Sequence, residues 1–240
     1  MADLRPILRG PATSHEGEFW NQRYRNEGAI WGEAPSPTAQ ILSRFLHAND
    51  HVLDVGCGYG RDLHFLIECG YRASGIDLSN TAIENAECRL RKHCCRAESL
   101  IFGQFEARLF PSGHFDALIS HRLLHLLFDG EQTAQFVEEI WKALRPNGVV
   151  AVSARNFHDL DPLAMVEVGG GVYEYKHRPG HLIRYWNESA FRSVFGEMFS
   201  IESFTEAVED ESQRQPVPCH FTVMLGRKLD NANAPLGEGR

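Results

Sequence analysis

The tightest constraint in this chain is one strand-to-helix passage. Val52-Leu53-Asp54-Val55 is a short apolar run, and it leads directly into Gly56-Cys57-Gly58-Tyr59-Gly60-Arg61. Glycines at alternate positions let the backbone take φ > 0 and approach a neighbour closely. Asp62 to Cys69 then carries helical periodicity, and Gly70 suits the residue after a helix end. A buried strand that empties through a glycine loop into a helix is a building unit of a parallel α/β sheet. The free N–H groups at such a helix start suit an anionic group. The spacing is G-x-G-x-G, whereas a dinucleotide pyrophosphate loop needs G-x-G-x-x-G.

The alternation continues downstream. Tyr71 to Ile76 predicts a strand, and Ser79 can cap a helix from Asn80 to about His93. Ser99 to Phe102 and Phe115 to Ser120 predict two more strands. Glu131 to Leu144 reads as a helix, with Phe136, Val137, Ile140 and Leu144 at helical spacing. Arg145-Pro146-Asn147-Gly148 predicts a turn before a buried strand, Val149 to Ser153. The last third differs. Asn156 to Tyr185 is a long segment rich in Gly, His and Tyr, followed by a helix from Asn187 to Phe195. Phe199 to Phe204 and His220 to Leu225 read as strands joined by a polar, acidic loop, Glu206 to Pro218. Two strands with no helix between them form an antiparallel hairpin.

Upstream, Leu4 to Gly17 is broken by Pro6 and Pro11 and predicts a loose arm. A short helix over Glu18 to Asn26, an extended connection through Ala29-Ile30-Trp31, and an amphipathic helix over Thr38 to Leu46 follow. The expected organisation is an arm over residues 1–47 and a main domain over 48–228. That domain carries a cap insertion at 156–185, and a disordered tail follows at 229–240.

Composition narrows the class. The 240 residues are 43% hydrophobic and 23% charged, enough apolar content for a sizeable core. The formal charge is −8, and no Lys/Arg block stands out. That argues against a nucleic-acid or anionic-membrane partner. Met1 to Pro6 has no apolar signal region, and no run approaches the ~20 residues of a membrane span. The six cysteines lack C-x-x-C spacing and are read as reduced thiols, so a cytoplasmic address is expected. The expected oligomeric state is monomer or homodimer.

Asp77 sits at the end of the second strand, in Gly75-Ile76-Asp77-Leu78-Ser79. At this position an acid can accept both hydrogen bonds of an adenosine ribose. It could instead cap the next helix, but Ser79 already offers that cap.

These residues resemble the class I S-adenosylmethionine (SAM)-dependent methyltransferases. Val52 to Arg61 looks like their first motif and Asp77 like the acid of their second. Phe115-Asp116-Ala117-Leu118-Ile119-Ser120 is similar to their fourth-strand motif. Leu144-Arg145-Pro146-Asn147-Gly148-Val149 resembles the turn before their fifth strand. The likeness covers roughly residues 18 to 228. It implies a Rossmann-like α/β fold: a seven-stranded, mostly parallel sheet with helices on both faces and a closing antiparallel hairpin. It implies SAM as cofactor, its methionine carboxylate at the helix start after the loop. Asp54, Gly56, Cys57, Gly58 and Arg61 are then expected cofactor contacts. So are Asp77, Leu78, Ser120 and His121.

A narrower likeness lies upstream. Phe19-Trp20-Asn21-Gln22-Arg23-Tyr24, then Ile30-Trp31-Gly32 and Pro35-Ser36-Pro37, resembles the N-terminal segment of tellurite-resistance and thiopurine-type small-molecule methyltransferases. It implies that Tyr24 and Trp31 line the cofactor site, where aromatic faces suit a sulfonium cation. The alternative is a hydrophobic brace holding the arm on the sheet. One departure concerns the adenine. Where relatives often carry Asp, this chain has Gly103-Gln104-Phe105-Glu106. Gln104 and Phe105 are the expected adenine contacts, with Glu106 the alternative.

Methyl transfer depends mainly on positioning, and a base is needed only if the acceptor carries a proton. His121 is the candidate base. His121 and His125, spaced i, i+4, are expected to share a helical face, with His125 as a packing residue. No metal is expected: His93-Cys94-Cys95 and His158, Asp159 and Asp161 do not supply a convincing ligand set. Tyr173, His177, His181, Arg184 and Tyr185 are the expected contacts to the methyl acceptor. That acceptor is expected to be a small molecule: a thiol, a chalcogen or metalloid species, or an oxygen or nitrogen nucleophile. Two rivals share the glycine loop. An NAD(P)-dependent Rossmann oxidoreductase predicts a sixth parallel strand in place of the hairpin, and a non-catalytic SAM-binding relative predicts binding without turnover.

Overall fold

Burial alternates along the strands between two cores, and this sets the architecture. The computed structural model describes residues 15–127, 130–177 and 182–230. The parallel strands are β1 (His51–Val55), β2 (Arg72–Asp77), β3 (Ser99–Phe102), β4 (Phe115–Ser120) and β5 (Leu144–Arg155). In β4, Ala117 and Ile119 enter one core and Leu118 the other; in β5, Val149 and Ala151 oppose Val150 and Val152. Strands buried on both faces need helices on both sides. One core is closed by α2 (Pro37–Ser43), α3 (Arg61–Glu68) and α4 (Asn80–Lys92) through Leu42, Leu63, Leu66 and Ile83. The other is closed by α5 (Gly130–Ala143) and α6 (Glu188–Phe195) through Phe136, Ile140, Phe191 and Phe195. The first helix, α1 (His15–Glu27), packs on α4.

After β5 the chain makes a small antiparallel sheet of three strands, β6 (Met165–Gly169), β7 (Val172–Tyr175) and β8 (Leu182–Arg184). It then returns as β9 (Phe199–Ser212) and β10 (Gln215–Lys228), both antiparallel to their neighbours. The main sheet has seven strands in the order β3-β2-β1-β4-β5-β10-β9. The expected class I architecture is therefore present. Its antiparallel pair stands where an oxidoreductase reading requires a sixth parallel strand.

Three expectations change. The segment 156–185 holds a three-stranded sheet, because Met165, Ile183 and Tyr185 give it a small hydrophobic cluster of its own. Arg145 to Gly148 lies within β5 as an irregularity: the pairing jumps from Phe115–Leu144 to Ala117–Val149, and Asn147 takes φ 60°. The acidic stretch 206–218 is not a loop. Ladder pairing runs from Lys228–Phe199 out to Gln215–Ser212, so the turn is only Gln213-Arg214. Beyond Phe221, where pairing with β5 ends, this hairpin continues as a two-stranded ribbon. Of the expected loose arm Leu4 to Gly17, residues 15–17 belong to α1, which opens at His15; the rest of it, residues 231–240 of the tail and His181 lie outside the described residues.

Gly60 shows how tightly the glycine loop is set. It has φ 76°, and a Cβ there would meet Ala86 Cβ at 2.9 Å and Ala86 Cα at 3.2 Å. Left-handed strain of about 1–2 kcal/mol adds to overpacking of about 1–3 kcal/mol. Gly60→Ala is therefore expected to lower stability by about 3 kcal/mol, read as a fall in the urea midpoint at constant m-value.

Candidate cofactor site

The glycine loop is pinned from below. Gly56 and Cys57 donate their N–H groups to Ile76 O, at 2.9 and 3.1 Å. Gly56, Gly58 and Gly60 take φ of 79°, 52° and 76°, values that glycine adopts without strain. Asp77 then ties loop to helix: Oδ2 accepts from Gly58 N at 2.9 Å and Oδ1 from Ser79 N at 2.8 Å. Burial pushes the Asp77 carboxyl up to about 6, although these two N–H bonds favour its ionised form. Ser79 also caps α4, its Oγ accepting from Ala82 N at 3.0 Å. Asp77 and Ser79 thus act together. Asp54 is buried at the end of β1, and burial, with Asp62 and Asp77 nearby, raises its carboxyl well above the usual range.

The aromatic arm packs over this loop. Tyr24, Ile30, Tyr59 and Ala82 form a buried cluster with Trp20 and Trp31 against it. Trp31 stacks on Tyr59 with centroids 6.3 Å apart and planes at 19°. Asn21 Oδ1 accepts from Ser79 Oγ at 2.8 Å and Thr81 N at 3.1 Å, fixing α1 on the start of α4. The Tyr24 hydroxyl lies 2.7 Å from where a Gly58 Cβ would stand. Trp31 Nε1 is buried without a hydrogen-bond partner. The arm thus packs against the loop, and Trp31 also lines the crevice beside it.

Above the loop stands a group that sequence reasoning missed. Glu209, from the two-stranded ribbon of β9 and β10, reaches in among Arg61, His121 and Arg122. Arg61 NH1 and NH2 donate to its two oxygens at 2.6 and 3.2 Å. His121 Nε2 lies 3.1 Å from Oε2 and Arg122 NH1 3.3 Å. Burial opposes ionisation of Glu209, but the hydrogen bonds from His121 and Arg61, with the Arg61 charge, outweigh it. They hold its carboxyl well below the usual carboxylate range. The pattern continues outward: Arg122 NH2 meets Glu211 at 3.3 Å and Arg155 NH2 meets Glu211 at 3.4 Å. Arg155 Nε closes the ladder on Asp159 at 2.8 Å. Arg122 lies 4.9 Å from the ring centroids of both Trp31 and Phe221.

His121 sits within this ladder. Burial lowers its pKa, and the Glu209 contact offsets that only in part, so the ring is neutral. With Nε2–H donating to Glu209, Nδ1 carries the one free lone pair of the ring; the Thr38 and Ser153 hydroxyls both stand 2.8 Å from it, and one of them donates to it. Both ring nitrogens are engaged. The shared helical face expected for His121 and His125 does not form. Arg122 takes φ 61°, which breaks any helix there, and His125 lies in a short 3₁₀ turn, Leu124–Leu126.

Other expected contacts are distributed unevenly. Ser120 is buried and spends its hydroxyl on Val55 O at 2.9 Å. Leu78 is half-buried and Gln104 exposed. Gly103 N donates to Asp77 O at 2.9 Å, which sets the Gln104 loop beside the end of β2. Phe105 packs edge-on against Phe136, and Glu106 pairs with Arg108. Of the expected acceptor contacts, the four described ones, Tyr173, His177, Arg184 and Tyr185, do not line the crevice. Tyr185 is 3% exposed within the small sheet's own core, with Tyr173 packed on it. Arg184 lies over Trp186, and His177 is exposed beside Tyr175.

The crevice beside the glycine loop has a volume of only 20 Å³ and is lined by Trp31, Asp54, Gly56 to Tyr59, Arg61, Asp62, His121 and Arg122. A larger cleft of 440 Å³, between Glu106–Ser112 and α5, shares no lining residue with it. Among the described residues no His/Cys/Asp/Glu group is placed to hold a metal. Nor is any helix of the described residues long and apolar enough to cross a membrane. The donor set beside the loop fits an adenosyl amino acid. Asp77 can serve a ribose, the glycine backbone allows close approach, and Arg61 can hold a carboxylate.

Comparison with known proteins agrees. The methyltransferase domain family matches residues 52–148. A probable S-adenosylmethionine-dependent methyltransferase of Mycolicibacterium smegmatis is 27% identical over 118 residues, covering 48% of this chain and 43% of that protein. The chain spans about half the length of the curated relatives it matches most clearly, 43%, 46% and 57%. Two solved structures share the fold. One, from a study of the conversion of a disulfide bond into a thioacetal group during echinomycin biosynthesis, has a TM-score of 0.69 at 22% identity and covers 90% of this chain and 94% of its own. The other is the 1,6-didemethyltoxoflavin-N1-methyltransferase of Burkholderia thailandensis, bound to 1,6-didemethyltoxoflavin and S-adenosylhomocysteine. It has a TM-score of 0.63 at 19% identity and covers 93% of this chain and 94% of its own. Strand order, glycine loop, strand-end acid and sequence match converge: residues 52–148 match the methyltransferase domain family, and they lie within a sheet of the class I methyltransferase order.

Proposed function

We propose that this chain transfers a methyl group from SAM to a small-molecule nucleophile. The observation that carries the acceptor class is the roof over the site. The ribbon is joined to the arm by Gln213 N–H on Ile30 O at 2.7 Å and by Arg214 on Asn26 O, with Glu209 reaching in beneath. A crevice closed from two sides suits a small molecule better than a duplex or a protein surface. The net charge of −8 favours the same reading over nucleic acid. The toxoflavin methyltransferase of similar fold acts on a small molecule, which is consistent.

In this reading Asp77 accepts from the ribose hydroxyls, and the loop from Gly56 to Gly58 runs along the methionyl part. Leu78 and the Gln104–Phe105 loop flank the adenine, and Tyr24 and Trp31 close the arm side. When bound, SAM supplies an activated methyl group on a cationic sulfonium. The protein's share is to hold donor and acceptor in line and to exclude water. With Nε2–H donating to Glu209, Nε2 has no lone pair free, so His121 serves as a base there only after Glu209 leaves and the ring proton moves to Nδ1. A thiolate or another acceptor already deprotonated needs no such release. The domain division into arm, main unit and cap belongs to this proposal, with the small β6–β8 sheet as the cap.

The test incubates the protein with methyl-labelled SAM and a panel of thiol, selenol, arsenite, phenol and amine acceptors, and detects products by mass spectrometry. Label in one small-molecule class is the expected result. Label only in added protein or RNA would overturn the acceptor class.

A further inference from the structure

Glu209 is an anomaly in a methyltransferase crevice. It brings a carboxylate to the place where Arg61, His121 and Arg122 converge, in the same crevice as the glycine loop. Arg61 and Arg122 are 94% and 91% buried. Two nearly buried guanidiniums and an imidazole N–H make a strong, planar-matched carboxylate receptor. The receptor is already satisfied by the chain itself, and the crevice that remains is 20 Å³. Drug-sized ligands occupy on the order of 300–1,000 Å³. Glu209 must therefore leave before a ligand carboxylate reaches these cations.

The structure also shows which part can leave. Glu209 pairs with Cys219 on the ribbon beyond the last β5 partner, Phe221. Past that point the strands pair only with each other, with a register shift between Gln215 and Pro218. Pro216 and Pro218 give the ribbon no N–H there. Val208 and Val217 are more than half exposed, so little apolar burial holds it down. Its attachments are mainly ionic and polar: Glu209, Glu211, Gln213 and Arg214 toward the tip, and at its base Cys219 on Arg155 and His220 on Asn156 N and Asp159.

We propose that Arg61, His121 and Arg122 form a carboxylate subsite that Glu209 fills as an internal stand-in, and that a ligand carboxylate takes it by exchange and lifts the ribbon. The incoming carboxylate is either the methionyl tail of the cofactor or an acidic group on the acceptor. This inference rests on the SAM reading of the glycine loop.

The test uses calorimetry on the full chain and on Glu209→Gln, an isosteric change that keeps the ribbon's shape. S-Adenosylhomocysteine is compared with 5′-methylthioadenosine, which keeps the adenosine and thioether but has no carboxylate. If the cofactor tail is the guest, Glu209→Gln binds S-adenosylhomocysteine at least tenfold more tightly, because a closed state populated at about 90% or more taxes affinity by at least that factor. Methylthioadenosine then changes less than twofold. If the acceptor's acid is the guest, S-adenosylhomocysteine is unmoved. Benzoate titrated onto its complex then binds the variant more tightly than the wild type. No change in either arm overturns the exchange. Amide exchange over residues 205–220 gives a second reading in the wild type. It should quicken with S-adenosylhomocysteine, or with S-adenosylhomocysteine plus benzoate, and quickening with neither also overturns the proposal. Failure of both adenosyl ligands to bind either protein would remove the cofactor reading itself, and the exchange with it.

Discussion

Replacing Asp77 by alanine should weaken S-adenosylhomocysteine binding by at least a hundredfold. Hydrogen bonds to a charged group contribute about 1.5–3 kcal/mol each, and two ribose hydroxyls would lose their acceptor. Even the lower figure doubled is about 3 kcal/mol, or two decades in Kd. The loop adds to the loss, since Gly58 N and Ser79 N both lose their partner. Asp77→Asn is not a mild alternative. Both carboxylate oxygens accept from backbone N–H groups, so one of those donors would face an amide NH₂. Its affinity should fall close to that of Asp77→Ala. The pH dependence separates charge from shape. Burial, opposed by the Ser79 and Gly58 hydrogen bonds, places the Asp77 carboxyl near 6. The protonated form has one acceptor oxygen fewer. Wild-type affinity should therefore hold above pH 6 and fall about tenfold per unit below it, while Asp77→Asn stays flat over that range. Calorimetry across pH 5–8 measures both. An Asp77→Ala protein that binds within threefold of wild type would end the ribose assignment.

The parts of this site legible in the sequence are the local ones. A buried run, three alternating glycines and a strand-end Asp lie within 26 residues of one another, and their geometry follows from strand, loop and cap rules. The Ser79 cap, the helix at 131–144 and the closing hairpin followed from the same short-range signals. Glu209 did not. Residues 206–212 are mostly polar, with Ala207 and Val208 adjacent, so no alternating hydrophobic period marked them as strand. The contact that matters spans 148 residues, from Arg61 to Glu209. Arg61, Arg122 and Arg155 offered an indirect signal. Arginines are rarely fully buried without acids to meet them, and Glu206 to Glu211 is a dense acidic stretch that supplies such acids. The cap was misread for a related reason. Strands of five, four and three residues are too short for periodicity, so Tyr173 and Tyr185 read as ligand contacts. Their common core appears only when the three strands pair.

The same long-range contact gives the second large effect. Arg61→Met should cost about 3 kcal/mol of folding stability. Removing one partner of a buried pair leaves the other charge without compensation, typically at about 3–5 kcal/mol. Glu209 keeps His121 and Arg122, which places the expectation at the lower end. The loss should be largely repaired by adding Glu209→Leu. Arg122 then still meets Glu211 at 3.3 Å and Asp210 O at 3.2 Å, and neutral His121 keeps its Thr38 and Ser153 hydroxyls. Replacing a buried pair by apolar groups is often neutral or better, whereas leaving half of it is not. The pH dependence has a definite sign. The folded Glu209 carboxyl lies below its ordinary value of 4.5. Its contribution is therefore complete above about pH 4.5 and is lost as pH falls toward the folded-state value. The gap between wild type and Arg61→Met should be constant from pH 5 to 8 and narrow below 4. Urea unfolding at several pH values reads this directly. A double variant no more stable than Arg61→Met would mean that the cost lies in Arg61's bonds to the carbonyls of Trp31 and Ala34, which hold the arm, and not in the stranded charge of Glu209.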